Sequence, residues 1–125
     1  MLRFFSLPIY VKVFKNRFEL TAYGSSTQTL NVQAITPFTT SRLLVGNFPI
    51  AETTLSHAIK QLQGDAFFKK APAVLIQPME MIEGGLCMVE EKLFHELALG
   101  GGARKVVLHV GSPMNQQQVI ERLYG

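Results

Sequence analysis

Two spacings of hydrophobic residues divide the chain, and the first, a period of two, covers its N-terminal part. Residues 9–14 are β-branched and aromatic, and residues 17–23 alternate as Arg-Phe-Glu-Leu-Thr-Ala-Tyr. The Lys-Asn pair at 15–16 is a turn signal, so the two stretches are predicted to pair as a β-hairpin. One or both of two further short stretches, residues 30–35 and 42–45, complete an antiparallel group.

The second spacing, typical of a helix, begins after residue 50. Leu55, Ile59 and Leu62 recur at intervals of three and four and so share one helical face. This predicts a helix over residues 51–63 that ends at Gly64, since glycine commonly follows the last helical residue.

Residues 73–113 are the most informative part of the chain. A wholly apolar run, residues 73–76, and a second run interrupted only by His109, residues 106–110, flank a helix that opens after the Gly-Gly pair at 84–85 and ends at the glycines 100–102. Short apolar runs of this kind are typical of strands buried on both faces of a parallel sheet. The stretch therefore predicts a βαβ unit, with a helix whose inward face is formed by Leu86, Val89, Leu93, Phe94 and Leu97.

A last helix over residues 116–124 turns Val119, Ile120 and Leu123 inward. The complete order is three or four antiparallel strands followed by α-β-α-β-α. This predicts an α/β fold with a mixed five-stranded sheet, and residues 1–125 are short enough to form a single domain.

The amino-acid composition indicates which classes of protein the chain can belong to. Hydrophobic residues make up 47% and charged residues 17% of the chain, which favours a globular core over disorder. The net charge is +3, but the Lys and Arg residues are scattered, so no nucleic-acid partner is expected. No window approaches the ~18 apolar residues of a membrane span. The single cysteine, Cys87, excludes an internal disulfide and favours a reducing compartment, so a cytoplasmic protein is expected.

The predicted order of elements describes the ribonuclease-H-like fold shared by actin, sugar kinases and chaperone ATPases. Residues 89–93, Val-Glu-Glu-Lys-Leu, and residues 96–106 resemble a helix and its Ala-Gly-Ala-Arg-Glu-Val exit in MreB, the family of bacterial actin homologues. Residues 9–12 are similar to that family's first strand just after its phosphate loop, and Ser112-Pro113 stands where the family has Glu-Glu-Pro. The resemblance implies an actin-like lobe that corresponds to the first half of that family's length.

Departures from the family pattern concern its ATPase site. MreB-type ATPases hold phosphates with an Asp-x-Gly-Thr loop, whereas residues 5–8 here read Phe-Ser-Leu-Pro. The acid organises Mg²⁺ and the glycine lets backbone N–H groups approach phosphate. The family's second lobe and the insertion that forms its upper subdomain are also missing from the sequence. The resemblance thus implies a lobe without ATPase activity, so neither enzymatic activity nor a cofactor is expected.

Two features near the second helix are candidates for residual chemistry. Glu90 occupies the place of the glutamate that positions the attacking water in that family. The simpler interpretation is a helix acid beside Glu91, favoured there by the helix dipole. Gly84 and Gly85 could bind an anion through free N–H groups, or they could only turn the chain out of the preceding strand.

Other reactive residues carry weaker signals. His57, His95 and His109 are far apart, so no metal site is predicted; the first two are expected to be exposed and the third to have a local partner. A ribonuclease-H nuclease needs a carboxylate on the first strand, and residues 9–14 contain none. Cys87 is predicted to be a small buried hydrophobic residue. The phenylalanines of residues 67–70, Phe-Phe-Lys-Lys, are expected to pack under the sheet.

The function expected from these observations is that of a non-catalytic, MreB-like module that acts through protein–protein interaction in cell-shape or envelope organisation. A lobe without its second half should leave apolar sheet surface for a homodimer or a partner protein to cover. The contact loops are predicted at residues 77–85 and 111–115, at the carboxyl ends of strands. The alternative is a nucleotide- or small-anion-binding domain with residual ATPase activity through Glu90.

Overall fold

A computed structural model describes residues 6–64 and 71–125. The phenylalanine and lysine residues at 67–70 lie outside the described residues. The elements, in chain order, are β1 (Pro8–Phe14), β2 (Arg17–Tyr23), β3 (Thr27–Gln33), α1 (Phe48–Gln63), β4 (Ala73–Pro78), α2 (Met88–Gly100), β5 (Lys105–Leu108) and α3 (Gln116–Tyr124).

The five strands form one mixed sheet in the order β3-β2-β1-β4-β5. The pairs β1–β2 and β2–β3 are antiparallel, whereas β1–β4 and β4–β5 are parallel. At the centre, Val11 faces Leu20 on one side and Ile76 on the other. The structure thus confirms both the predicted mixed five-stranded sheet and the βαβ unit.

Two helices cover one face of this sheet. The apolar residues of α1, Ala51, Leu55, Ala58 and Ile59, and those of α2, Phe94, Leu97 and Ala98, are buried against it. Gly64 ends α1 with φ +61°, as predicted. The helix starts earlier than residue 51 because Pro49 is compatible with the first helical turn, where its missing N–H is not needed.

The other face is covered by α3, which buries Val119 and Leu123 against Tyr10 and Leu75. Beyond α3 this face carries polar pairs of β1, β2 and β3. Lys12 and Glu19 form a 3.5 Å ion pair, Arg17 Nη1 donates to Asn31 Oδ1 over 2.8 Å, and the hydroxyls of Thr21 and Thr29 lie 3.4 Å apart. The large apolar area that was expected to remain uncovered on the sheet is therefore absent from this face.

Three local predictions need correction. The third strand runs over Thr27–Gln33, not residues 30–35. Residues 42–45 form a loop, since Thr40 N–H donates to the Leu43 carbonyl and closes a turn there. Val89 is 75% exposed, because the buried face of α2 begins only in the second turn of the helix and uses Ala98 instead.

Candidate functional site at the carboxyl edge of the sheet

The carboxyl ends of β1, β4 and β5 meet at one edge of the sheet because these three strands are parallel. Ligands and partners of open α/β sheets bind at such an edge. We call it the carboxyl-edge surface: the turn at residues 15–16, the loop at residues 79–87, the first two residues of α2 and the loop at residues 109–115. It includes most of both predicted contact loops.

A buried hydrogen-bond network holds these loops in place. Gln77 is wholly buried, and its Oε1 accepts a short hydrogen bond from the Tyr10 hydroxyl. Gln77 Nε2 donates to the Gly111 carbonyl over 2.8 Å, and Met114 N–H donates to the Tyr10 hydroxyl over 3.1 Å. The network joins β1, β4 and the loop after β5. Sequence reasoning missed it, although a glutamine at the end of an otherwise apolar strand was the available signal.

The turn after β1 is closed by a carboxylate. Lys15 N–H donates to Glu80 Oε2 over 2.7 Å, and Met79 N–H donates to the Val13 carbonyl over 2.8 Å. A turn at the carboxyl end of a strand offers N–H groups that a phosphate could use. Here the chain's own Glu80 occupies the Lys15 N–H.

Glu90 has a comparable structural role. Its Oε1 accepts the Cys87 N–H over 3.0 Å, which is the reciprocal half of a capping box at the start of α2. Cys87 is the N-cap residue and is exposed. The prediction of a buried Cys87 is therefore wrong, because a residue at the helix end lies outside the packed face.

The glycine pair forms the turn before α2. Gly84 and Gly85 have φ values of +79° and +83°, which L-residues with side chains rarely adopt. Gly85 N–H donates to the Ile82 carbonyl over 2.9 Å, so it is engaged within the loop. Both glycines precede the N-cap Cys87, and the geometry is that of a chain reversal.

The charge of the carboxyl-edge surface is locally acidic in a chain of net charge +3. Glu80 and Glu83 lie in its first loop and Lys15 in its turn, and Glu90 and Glu91 lie just beyond it in the first turn of α2. Among residues 6–64 and 71–125 no group of three or more His, Cys, Asp or Glu side chains could hold a metal ion. Negative charge at this edge disfavours a bound triphosphate.

Apolar side chains project from the same surface. Met88 is 83% exposed, Val89 is 75% exposed and Val110 is 41% exposed. Met88 and Val89 are consecutive, and contiguous exposed apolar side chains are more informative than single ones. Sequence reasoning found the loops but not Met88 and Val89, since Val89 was expected to face the core.

The three histidines lie apart, as predicted. His57 and His95 are exposed on α1 and α2. His109 has a local partner: its Nε2 lies 2.9 Å from the Ser112 carbonyl and donates to it, while Arg122 Nη1 donates to its Nδ1 over 3.4 Å. This residue fixes the loop after β5 against α3.

Residues 6–8, compared above with a phosphate loop, lie at the amino end of β1, opposite the carboxyl-edge surface. Ser6 is buried there, and its carbonyl accepts a hydrogen bond from the Tyr124 hydroxyl over 3.0 Å. Burial raises the pKa of Tyr124, and the hydrogen bond to Ser6 and the nearby Arg104 oppose that rise. These contacts attach the C-terminal helix to the first strand.

Replacing the thiol at the N-cap gives a direct check of the capping geometry. Cys87→Ser completes a Ser-x-x-Glu capping box with Glu90, because a hydroxyl accepts the N–H of the third helical residue better than a thiol does. We expect the free energy of unfolding to rise by about 0.5–1 kcal/mol, measured by urea denaturation. A loss of stability would show that the thiol is packed and not capping.

Comparison with known proteins identifies the fold. No family model matches the chain. A search of solved structures finds MreB 5 of Spiroplasma citri, in a crystal structure bound to AMPPNP, with a TM-score of 0.59 and 11% sequence identity. The match covers 84% of this chain and 38% of that one. The fold is that of an MreB-like actin lobe. The predicted ribonuclease-H-like, actin-like architecture is confirmed.

Sequence comparison agrees with the structural match. The chain is 33% identical over 84 residues to the cell shape-determining protein MreB of Escherichia coli K12, which covers 67% of this chain and 22% of MreB. It is 28% identical over 102 residues to the uncharacterized protein YjaA of the same organism, covering 78% of each. The chain therefore spans about a fifth of the length of MreB but most of the length of YjaA.

No helix in the described ranges has both the length and the apolar character needed to cross a bilayer.

Proposed function

We propose that this MreB-like lobe is a non-catalytic module that works by protein contact at its carboxyl-edge surface, in cell-shape or envelope organisation. The assignment to cell shape is supported by the similarity to MreB, a cell shape-determining protein. A cytoplasmic, reducing environment suits the exposed, unpaired Cys87.

The proposal that the lobe is not catalytic is supported by two carboxylates that accept backbone N–H groups at the carboxyl edge. Glu80 accepts the Lys15 N–H and Glu90 accepts the Cys87 N–H. A nucleotide-binding edge presents such N–H groups to phosphate. A bound phosphate would have to displace these carboxylates and would remain close to their negative charge.

The contact role is supported by Met88 and Val89, both mostly exposed at the start of α2. The Gln77 network holds the backbone of the loop after β5, so a partner would meet that loop already ordered, with little ordering cost. An apolar centre with an acidic rim is suited to a protein partner with basic residues around an apolar patch.

The proposal is tested by the effect of the chain on cell width when it is expressed at a controlled level in Escherichia coli. We expect the wild-type chain to alter cell width and Val89→Asp to lose that effect, because burying a carboxylate against the partner's apolar patch costs desolvation free energy. Asp in the first turn of a helix is compatible with the dipole, so folding should be retained. Gln117→Asp, an equal charge change on the exposed side of α3, serves as the matched control.

Two results would count against the proposal. One is a wild-type chain that leaves cell width unchanged at a level confirmed by immunoblot. The other is a Val89→Asp variant that acts like wild type and like Gln117→Asp, which would move the contact away from the carboxyl-edge surface.

A variant of Glu90 can distinguish a role of this residue in helix capping from a role in ATP hydrolysis. Glu90→Ala removes the acceptor of the Cys87 N–H, and we expect the free energy of unfolding to fall by about 0.5–1 kcal/mol with no change in phosphate release from Mg-ATP. Denaturation and a phosphate assay measure the two quantities on the same sample. Phosphate release by the wild-type protein that Glu90→Ala abolishes would instead support the nucleotide-binding alternative.

A further inference from the structure

Among residues 6–64 and 71–125 no strand pairs with the outer side of β3, which lacks the usual protection of an edge strand. It is one of the two outer strands of the sheet, and all seven of its residues pair with β2 in continuous register, from Arg17↔Gln33 to Tyr23↔Thr27. Natural edge strands are normally short, bulged, or blocked by charge or proline. β3 contains no bulge, no charged residue and no proline. The opposite edge, β5, has four residues and begins with Lys105.

The stretch of sequence that contains β3 is also uncharged, although Arg17 of β2 donates a hydrogen bond to Asn31 of β3. No Asp, Glu, Lys or Arg occurs from residue 20 to residue 41 in the sequence. On its helical side β3 borders a groove of about 350 Å³ that separates it from α1. The groove is lined by Val32, Ile35, Ile50, Thr53, His57 and Ala58 among others, and Ile35 at its rim is fully exposed.

This surface suits a second copy of the same chain better than a charged partner. Two copies of a protein with net charge +3 repel each other at most orientations. The β3 edge is where two copies can approach without opposing like charges. It also offers the row of backbone N–H and C=O groups that antiparallel pairing requires.

The side-chain pattern of β3 is self-complementary about its midpoint. A two-fold axis through Leu30 pairs all seven residues with the same strand of a second copy. On one face Leu30 meets Leu30 and Gln28 meets Val32; on the other Thr29 meets Asn31. The Leu30 pair is apolar, the Thr29–Asn31 pairs can form uncharged hydrogen bonds, and the mixed Gln28–Val32 pairs bring no charge to the interface.

We infer that two chains associate by antiparallel pairing of β3 with β3, forming one ten-stranded sheet across a two-fold axis. The two α1 helices then lie on the same side of the sheet, and their grooves meet across the axis. The interface is isologous, as in most homodimers. It shares no residue with the carboxyl-edge surface, so the two proposals fail separately.

Analytical ultracentrifugation tests the inference with a charge placed on the edge. The full chain is sedimented from about 1 µM to about 1 mM, which brackets the affinities of modest interfaces. In Thr29→Lys the Cα atoms of the two introduced lysines lie diagonally across the axis, about 7–8 Å apart, so their ammonium groups share one face near the axis. We expect the wild type to be dimeric within this range and the dimer dissociation constant to rise about tenfold or more in Thr29→Lys.

Gln117→Lys on α3 is the matched control, with the same charge change on an exposed residue away from β3. It should dimerise like wild type. Lysine is common on natural edge strands, so Thr29→Lys should keep its fold, which circular dichroism checks. The inference is overturned by a wild type that is monomeric throughout, by a dimer that Thr29→Lys leaves intact, or by equal loss in both variants. A monomer that pairs only with an added extended peptide also overturns it.

Cross-linking tests the register independently. In a Cys87→Ser background, chains with Thr29→Cys are mixed with chains with Asn31→Cys under mild oxidation. Facing Cα atoms of paired strands lie about 4.5–5.5 Å apart, within the span of a disulfide. We expect this mixture to give a covalent heterodimer faster than a mixture of Thr29→Cys with Gln33→Cys, which is out of register. Equal rates would contradict the axis through Leu30.

Discussion

Gln77→Leu is expected to lower the free energy of unfolding by about 2–4 kcal/mol, although it places an apolar side chain of similar size in the core. Gln77 is wholly buried and bonds both the Tyr10 hydroxyl and the Gly111 carbonyl. Leucine leaves these two groups without that partner, and an unsatisfied buried polar group costs about 1–3 kcal/mol. Chemical denaturation with a constant slope against denaturant measures the loss.

A double-mutant cycle with Tyr10→Phe shows whether the two side chains act as a network. Tyr10→Phe should cost less in the Gln77→Leu background than in the wild type, because the hydroxyl has already lost one partner. Strict additivity of the two losses would contradict the hydrogen bond between Tyr10 and Gln77.

Phe38→Ala is expected to cause a loss of about 3–5 kcal/mol, although Phe38 lies in a loop between β3 and α1. The side chain is wholly buried, and its ring is stacked on Phe18 with centroids 5.0 Å apart. The loop is held in place by Asn16, whose Oδ1 accepts the N–H groups of Phe38 and Thr39 over 2.9 and 2.8 Å.

Ile35→Ala, three positions earlier in the same loop, is the control for this effect. Ile35 is fully exposed, so its truncation should change stability by less than about 0.5 kcal/mol. Unfolding of both variants at one protein concentration gives the comparison. Similar small losses in the two variants would mean that the loop contributes little to the core.

The sequence was sufficient to predict those elements in which the spacing of hydrophobic residues matches the face that is buried in the fold. The apolar run at β4, the Gly-rich exit of α2 and the inward face of α3 follow from short-range patterns, and the structure has all of them. The run at β5 forms a parallel strand over Lys105–Leu108, but the prediction that it is buried on both faces is wrong, because β5 is an outer strand of the sheet. The limits of β3 were less predictable. Its threonines and glutamines carry no hydrophobic signal, and pairing with β2 alone determines its length.

The site could be predicted only in part, because its decisive contacts are distant along the chain. Glu80 and Lys15 are 65 positions apart, and Tyr10 and Met114 are 104 positions apart. Hydrogen bonds between residues so far apart in sequence cannot be predicted from composition, since each partner alone has the character of an ordinary surface or strand residue. The exposure of Cys87 and Val89 depends on the first residue of α2, and a helix boundary is the least certain feature of a sequence pattern.

Thermal unfolding with and without Mg-ATP tests the central claim most directly. A ligand that binds the native state stabilises it by RT ln(1 + [L]/Kd), about 2.7 kcal/mol when the ligand is at one hundred times its dissociation constant. With Glu80 and Glu90 occupying N–H groups at the carboxyl edge, we expect millimolar Mg-ATP to leave the unfolding temperature unchanged relative to an equal ionic strength of salt. A nucleotide-dependent rise in that temperature would contradict a non-catalytic lobe.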